Sequence, residues 1–163
     1  LNHRAARGLI TKALDAPEEK QYAMVMFDLD DFKKANDDYG HLFGDEVLLH
    51  VADVLQDNTR DEDVLCRVGG DEFLVFMEYK TTVKPQVERI FNCLSGVYRD
   101  FPLRVSVGVA FAKDCLGDYD ILFQMADRAM YAVKFQHKNG ICYYDEMERT
   151  GSKAASYGGG AIT

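Results

Sequence analysis

Positive charge is scarce in this sequence. Its 163 residues include 19 Lys and Arg against 27 Asp and Glu, a formal charge of −8. Proteins hold a nucleic-acid backbone by replacing its counterions with Lys and Arg, so this balance disfavours a nucleic-acid polymer as partner. A small anionic ligand stays compatible with it if metal ions bridge the two. C-x-x-C spacing is missing as well, because Cys66, Cys93, Cys115 and Cys142 are far apart. That argues against a zinc site and, with no signal peptide, against a disulfide framework; it leaves reduced, mostly buried thiols in a cytoplasmic protein. No apolar run approaches the roughly 20 residues needed to span a bilayer, so this domain is expected to make no membrane contact. The cytoplasmic part of a membrane-anchored protein would read the same way. The initiator Met is absent too: a chain opening on Leu1-Asn-His-Arg4 reads as a piece of something longer, with a regulatory domain upstream.

What is present is an ordinary globular composition, 47% hydrophobic and 28% charged, in a length that suits one core. Residues 151–160, Gly-Ser-Lys-Ala-Ala-Ser-Tyr-Gly-Gly-Gly, have no apolar period and many small residues. The expectation is one domain over residues 1–148 and a flexible tail or expression remnant over 149–163. Ala23 to Phe27 is a short apolar run ending at Asp28, a buried strand, and Phe32 to Tyr39 makes a short helix before Gly40. Val47, Leu48, Val51, Val54 and Leu55 share a helix face. Val64 to Val68 and Phe73 to Tyr79 are two strands joined at Gly69-Gly70, which are expected to supply positive φ angles for a tight hairpin. A second amphipathic helix runs from Val87 to Tyr98, a strand alternates from Leu103 to Phe111, a last helix spans Leu122 to Val133, and Ile141 to Tyr144 closes the order βααββαβαβ. The fold class is α/β of the α+β kind, a central, mostly antiparallel sheet flanked by helices. No internal repeat is present.

Carboxylates crowd two places in this layout. Asp28, Asp30 and Asp31 stand at the end of the first strand, and Asp71 and Glu72 at the hairpin turn. Any one alone is a solvated turn residue, since Asp favours turns for local hydrogen-bonding reasons. Together, on paired strands, they would repel unless hard cations joined them. Mg²⁺ commonly takes one or two protein carboxylates plus substrate phosphates, and two such ions clamp the attacking and leaving oxygens of a phosphoryl transfer. A calcium EF-hand is set aside, because Asp28-Leu-Asp-Asp-Phe-Lys33 has no glycine at loop position six and no acid at position twelve.

Gly69-Gly-Asp-Glu-Phe73 resembles the signature of the GGDEF domain of diguanylate cyclases, which condense two GTP into cyclic di-GMP and release two pyrophosphates. The block from Asp28 to Asp45, DLDDFKKANDDYGHLFGD, is similar to that family's D-x-D-x-F-K-x-x-N-D-x-x-G-H-x-x-G-D. Leu1-Asn-His-Arg4 resembles the end of its L-x-N-R motif, and Ala126 to Lys134 its late A-D-x-A-x-Y-x-A-K helix, so the likeness covers about residues 1 to 145. It implies a fold like the nucleotidyl cyclase and polymerase palm and two Mg²⁺ or Mn²⁺ ions per site. Asp28, Asp71, Glu72 and the carbonyl of Leu29 would hold the ions. Asp71 or Glu72 would help take the proton of the attacking ribose hydroxyl, and Lys33 would stabilise transition-state charge.

Substrate contacts implied by the resemblance are Phe32, Asn36, His41, Asp45, Gly69, Gly70, Lys134 and Lys138. Asn36 and Asp45 suit guanine, because a carboxylate accepts from its N–H edge while an amide donates and accepts. His41 equally suits a plain loop position after Gly40. Gly69 and Gly70, lacking side chains, let nucleotide approach the backbone. Arg60 and Asp63 form an R-x-x-D pattern five residues before Gly69, where the family binds cyclic di-GMP as a feedback inhibitor, and Arg89 could join it. The family usually has arginine where this chain has Lys138 and glycine where it has His137, which implies weakened triphosphate binding. Because one guanine pocket takes one GTP, the resemblance also implies a transient homodimer. A binding module that keeps the pocket and signals by contact is the rival reading, and another two-metal nucleotidyl transferase a second.

Overall fold

The strand predicted after the N-terminal segment is the hub of the molecule. In the computed structural model, which describes residues 1–16, 19–136 and 138–147, β1 (Gln21–Leu29) lies at the centre of the sheet β2-β3-β1-β6-β7. Its neighbours β3 (Glu72–Tyr79) and β6 (Val105–Phe111) both run antiparallel to it, β2 (Val64–Arg67) pairs antiparallel with β3, and β7 (Gly140–Tyr143) lies parallel to β6. Side chains alternate across a strand. Ala23, Val25, Phe27 and Leu29 therefore enter one core with Val47, Val51 and Leu55, while Met24 and Met26 enter a second with Ile10, Leu122 and Met130. Burial on both faces is why β1 reads as a continuous apolar run.

The first core lies under α3 (His41–Asp57) and α4 (Lys84–Leu94), and the second under α1 (His3–Asp15) and α5 (Tyr119–Gln136). α5 packs closely on β6 at Gly108, where an added Cβ would meet Met130 N at 2.1 Å and Ala126 O at 2.2 Å. That close approach lets the last turns of α5 reach the end of β1. Among the described residues, no helix is long and apolar enough to cross a membrane.

Most predicted elements are present, α2 (Phe32–Tyr39) with the predicted bounds. Three expectations are corrected. The N-terminal helix α1 was not expected: only Ala6 and Ile10 of its thirteen residues are buried, too thin an apolar stripe to read, although Asn2 caps it by accepting from Ala5 N at 2.8 Å. Val97 and Tyr98 continue the helical spacing of α4 but belong to β4 (Gly96–Tyr98), which pairs with β5 (Phe101–Leu103). The helix stops at Leu94, with Ser95 already extended and Gly96 at φ 150, and the chain turns back from β4 to β5 through Arg99-Asp100 at φ 46 and 69. Lastly, neither Gly69 nor Gly70 has a positive φ. The hairpin turn is closed instead by Val68 N and Gly69 N donating to Glu72 O at 2.8 and 3.4 Å. His137, residue 148 and the tail over 149–163 lie outside the described residues.

Candidate active site

The β1–β3 register sets Asp28 opposite Glu72, and Leu29 N donates to Asp71 O at 3.1 Å. Asp28, Leu29, Asp71 and Glu72 thus meet at one end of the sheet because an acid ends β1 and two acids begin β3. α5 adds a cation: Lys134 Nζ lies 2.9 Å from Asp28 Oδ2. Asp28 is only 6% exposed, and its other oxygen, Oδ1, is buried without a hydrogen-bond partner.

Burial pushes the Asp28 carboxyl up to about 7 against the pull of Lys134, and Asp71 and Glu72 add to the push. Glu72 is raised as well, by burial first and then by Asp127 and Asp71. Burial also lowers the Lys134 ammonium, but the bond and charge of Asp28 more than offset this and leave it above the ordinary lysine value. One ammonium, Lys134, thus faces the three carboxylates of this sheet end and reaches only one oxygen of Asp28. Among the described residues no three His, Cys, Asp or Glu form a ready-made metal cage. An orphaned buried carboxylate oxygen beside two further acids does fit a hard cation that completes its shell with phosphate and water.

The crowding of Asp30 and Asp31 with Asp28 is resolved differently. Asp30, 2% exposed, accepts from Ser106 Oγ at 2.7 Å and Asn139 N at 2.8 Å, which ties the β6 strand and the α5–β7 turn to the end of β1. It is a structural carboxylate. Asp31 sits at φ 58 and pairs with Lys138 Nζ at 2.8 Å, and that lysine holds its carboxyl below the usual range.

The other predicted substrate residues line α2 and α3. Asn36 Oδ1 lies where a Cβ on Gly44 would approach within 1.8 Å, and Phe32 Cζ is 3.3 Å from the same point. Gly44 is thus the residue that lets Asn36 and Phe32 pack against α3, a role the motif contains but residue type alone does not explain. Asp45 is exposed and faces a cavity of about 660 Å³ together with Leu48, Leu65, Phe73 and Arg60. Lys33 is exposed on α2, and His41 is exposed as the first residue of α3. Gly69 and Gly70 are exposed at the hairpin tip, with open space around the Cβ position of Gly70.

Arg60 and Asp63 form a closed turn in which Arg60 N donates to Asp63 Oδ2 at 2.8 Å and Asp63 N donates to Arg60 O at 3.0 Å. A second cavity, about 470 Å³, brings Arg89 and Gln86 of α4 to the same two residues. Burial pushes the Asp63 carboxyl up, and the Arg60 amide and charge oppose it.

An acidic strand end and hairpin on a five-stranded, mostly antiparallel sheet with helices on both faces define the cyclase palm. The chain belongs to the GGDEF family, described as diguanylate cyclase, GGDEF domain, which matches residues 1–140. It is 33% identical over 135 residues to MucR of Pseudomonas aeruginosa, named a bifunctional diguanylate cyclase/cyclic di-GMP phosphodiesterase, over 78% of this chain and 20% of that one. Its fold is similar to the GGDEF domain of YfiN (TpbB) from P. aeruginosa, at 29% identity and TM-score 0.80 over 88% of this chain and 95% of that one. It is also similar to the GGDEF domain of DgcB from Caulobacter crescentus, solved in complex with c-di-GMP, at 26% identity and TM-score 0.78 over 88% and 91%. The chain spans 20%, 22% and 41% of the length of three curated relatives it matches.

Proposed function

We propose that this chain condenses two GTP into cyclic di-GMP with release of two pyrophosphates, each of two facing copies contributing one bound GTP. The observation that carries the reading is the meeting of Asp28, Asp71 and Glu72 at one sheet end, with Lys134 supplied by α5. Asp28, Asp71, Glu72 and the Leu29 carbonyl would hold two Mg²⁺ or Mn²⁺ ions, which when bound lower the pKa of the ribose hydroxyl and offset phosphate charge. Glu72, already raised by burial, receives the proton of the attacking 3′-hydroxyl. The oxygen then bonds to the α-phosphorus of the facing GTP as the bond to pyrophosphate breaks. Lys134, beside Asp28 on α5, would bind the triphosphate, and Lys33, exposed on α2, would offset charge on the transferring group. Asn36 and Asp45 read guanine, and Phe32, His41, Gly69, Gly70 and Lys138 border the nucleotide.

Arg60, Asp63 and Arg89 form the feedback site for cyclic di-GMP: guanidinium forks suit its phosphates, and the Asp63 carboxylate accepts from the guanine edge. The second reading, a module that binds nucleotide without turnover, is favoured by one contact. Lys138, where the family resemblance implies arginine, is occupied by Asp31. The test is to incubate the purified domain at high concentration with GTP and Mg²⁺, beside an Asp71→Ala control. Cyclic di-GMP that disappears in the control supports the cyclase. Binding without product, even under forced dimerisation, supports the module.

A further inference from the structure

Two consecutive glycines before Asp71 give the hairpin the most flexible backbone available, and neither is fixed by a left-handed conformation. Something else must set the direction of the Asp71 side chain. That direction follows from the two peptide planes flanking its Cα. The plane after it is held at the Asp71 carbonyl, which accepts from Leu29 N of β1. The plane before it is held at the Gly70 carbonyl, which accepts from Arg67 Nε at 3.0 Å and from Arg67 Nη2. Arg67 Nε also donates to the Gly69 carbonyl at 3.0 Å.

We infer that Arg67 is the positioning residue of the catalytic turn, acting on Asp71 through the Gly69 and Gly70 carbonyls. Its backbone is anchored, since it ends β2 and pairs in register with Phe73. Its guanidinium presents a rigid fork of donors, so one side chain can span two successive carbonyls where a lysine ammonium is a single point. The guanidinium also covers two carbonyl dipoles whose negative ends would otherwise add to an edge rich in carboxylate. The inference rests on the cyclase reading for its effect on rate, but the brace itself is independent of it.

Arg67→Gln and Arg67→Lys are compared with the unaltered domain. In the glutamine variant kcat is expected to fall about tenfold while KM for GTP stays within about twofold, because misplacing a reacting group costs rate more than binding. The lysine variant is expected to recover part of that loss by bonding one carbonyl. Hydrogen exchange over residues 68–72 is expected to quicken in the glutamine variant without a matching loss of thermal stability. Unchanged kcat in that variant, or a rise in KM with kcat intact, would overturn the inference. If the unaltered domain makes no cyclic di-GMP, the cyclase reading fails alone. Exchange over 68–72 then decides: faster exchange in the glutamine variant supports the brace, and equal exchange overturns it.

Discussion

Replacing Gly44 by alanine tests how the guanine side of the site is built. The added Cβ would lie 1.8 Å from Asn36 Oδ1, 2.9 Å from its Cγ and 3.3 Å from Phe32 Cζ. None of these is backbone, so Asn36 can relieve the clash by leaving its place, at about 0.5–1.5 kcal/mol of rotamer strain. Alanine meanwhile gains about 0.5–1 kcal/mol over glycine inside a helix. These terms nearly cancel, and the stability of Gly44→Ala is expected to stay within about 1 kcal/mol of the parent. Function does not cancel. If Asn36 reads guanine as proposed, its displacement would lose the bond to the base and leave a buried donor unmatched, about 1–3 kcal/mol, which corresponds to a GTP KM raised about 5- to 150-fold. GTP against ATP competition should lose selectivity in step. Thermal melts and steady-state kinetics check both arms. A variant that binds GTP as the parent does, or one that loses several kcal/mol of stability, would refute the argument.

Further outcomes follow from the charges. Asp28 is raised in the folded protein from the ordinary 3.8 to about 7; the unfolded state therefore binds fewer protons in that window, and metal-free stability should fall as pH rises from about 4 to 7. Melts in EDTA at pH 5 and pH 8 should show this component in the parent and lose it in D28N; an identical pH difference in both would remove Asp28 as its source. In Lys138→Arg, a guanidinium fork can hold Asp31 and phosphate together, so GTP KM should drop about threefold; an unchanged or higher KM counts against a phosphate role. Arg60→Ala should raise the cyclic di-GMP concentration for half-inhibition at least about tenfold with little change in uninhibited kcat, read by initial rates with added product. Inhibition at the parental concentration would move feedback away from the Arg60–Asp63 turn.

Much of the site was legible because its residues cluster in sequence. The Asp28 to Asp45 block and the Gly69 to Phe73 turn carry acids, amide and glycines at fixed spacing, and β1 and β3 are each buried enough to read as strands. What spacing cannot convey is direction. Asp30 and Asp31 resemble Asp28 in a linear reading, yet one turns inward to Ser106 and the other outward to Lys138, since alternation and a positive φ send neighbours different ways. The helix α1 was invisible because only two of its side chains are buried. Arg67 was an unremarked strand residue until the turn folded back over it.

By itself the sequence determined the five strands of the main sheet and the helices α2 to α5 between them, though not α1 or the β4–β5 hairpin, together with the acidic strand ends and the family, because hydrophobic period and motif spacing are local properties of the chain. Only the tertiary structure decided that Lys134, more than 100 residues from Asp28, neutralises one of its oxygens and leaves the other bare. It also decided that Arg89 comes to Arg60 and that Gly44 makes room for Asn36. Those relations depend on which elements pack together and how closely, and burial, which sets the carboxyl of Asp28 so far from its ordinary value, exists only once they do.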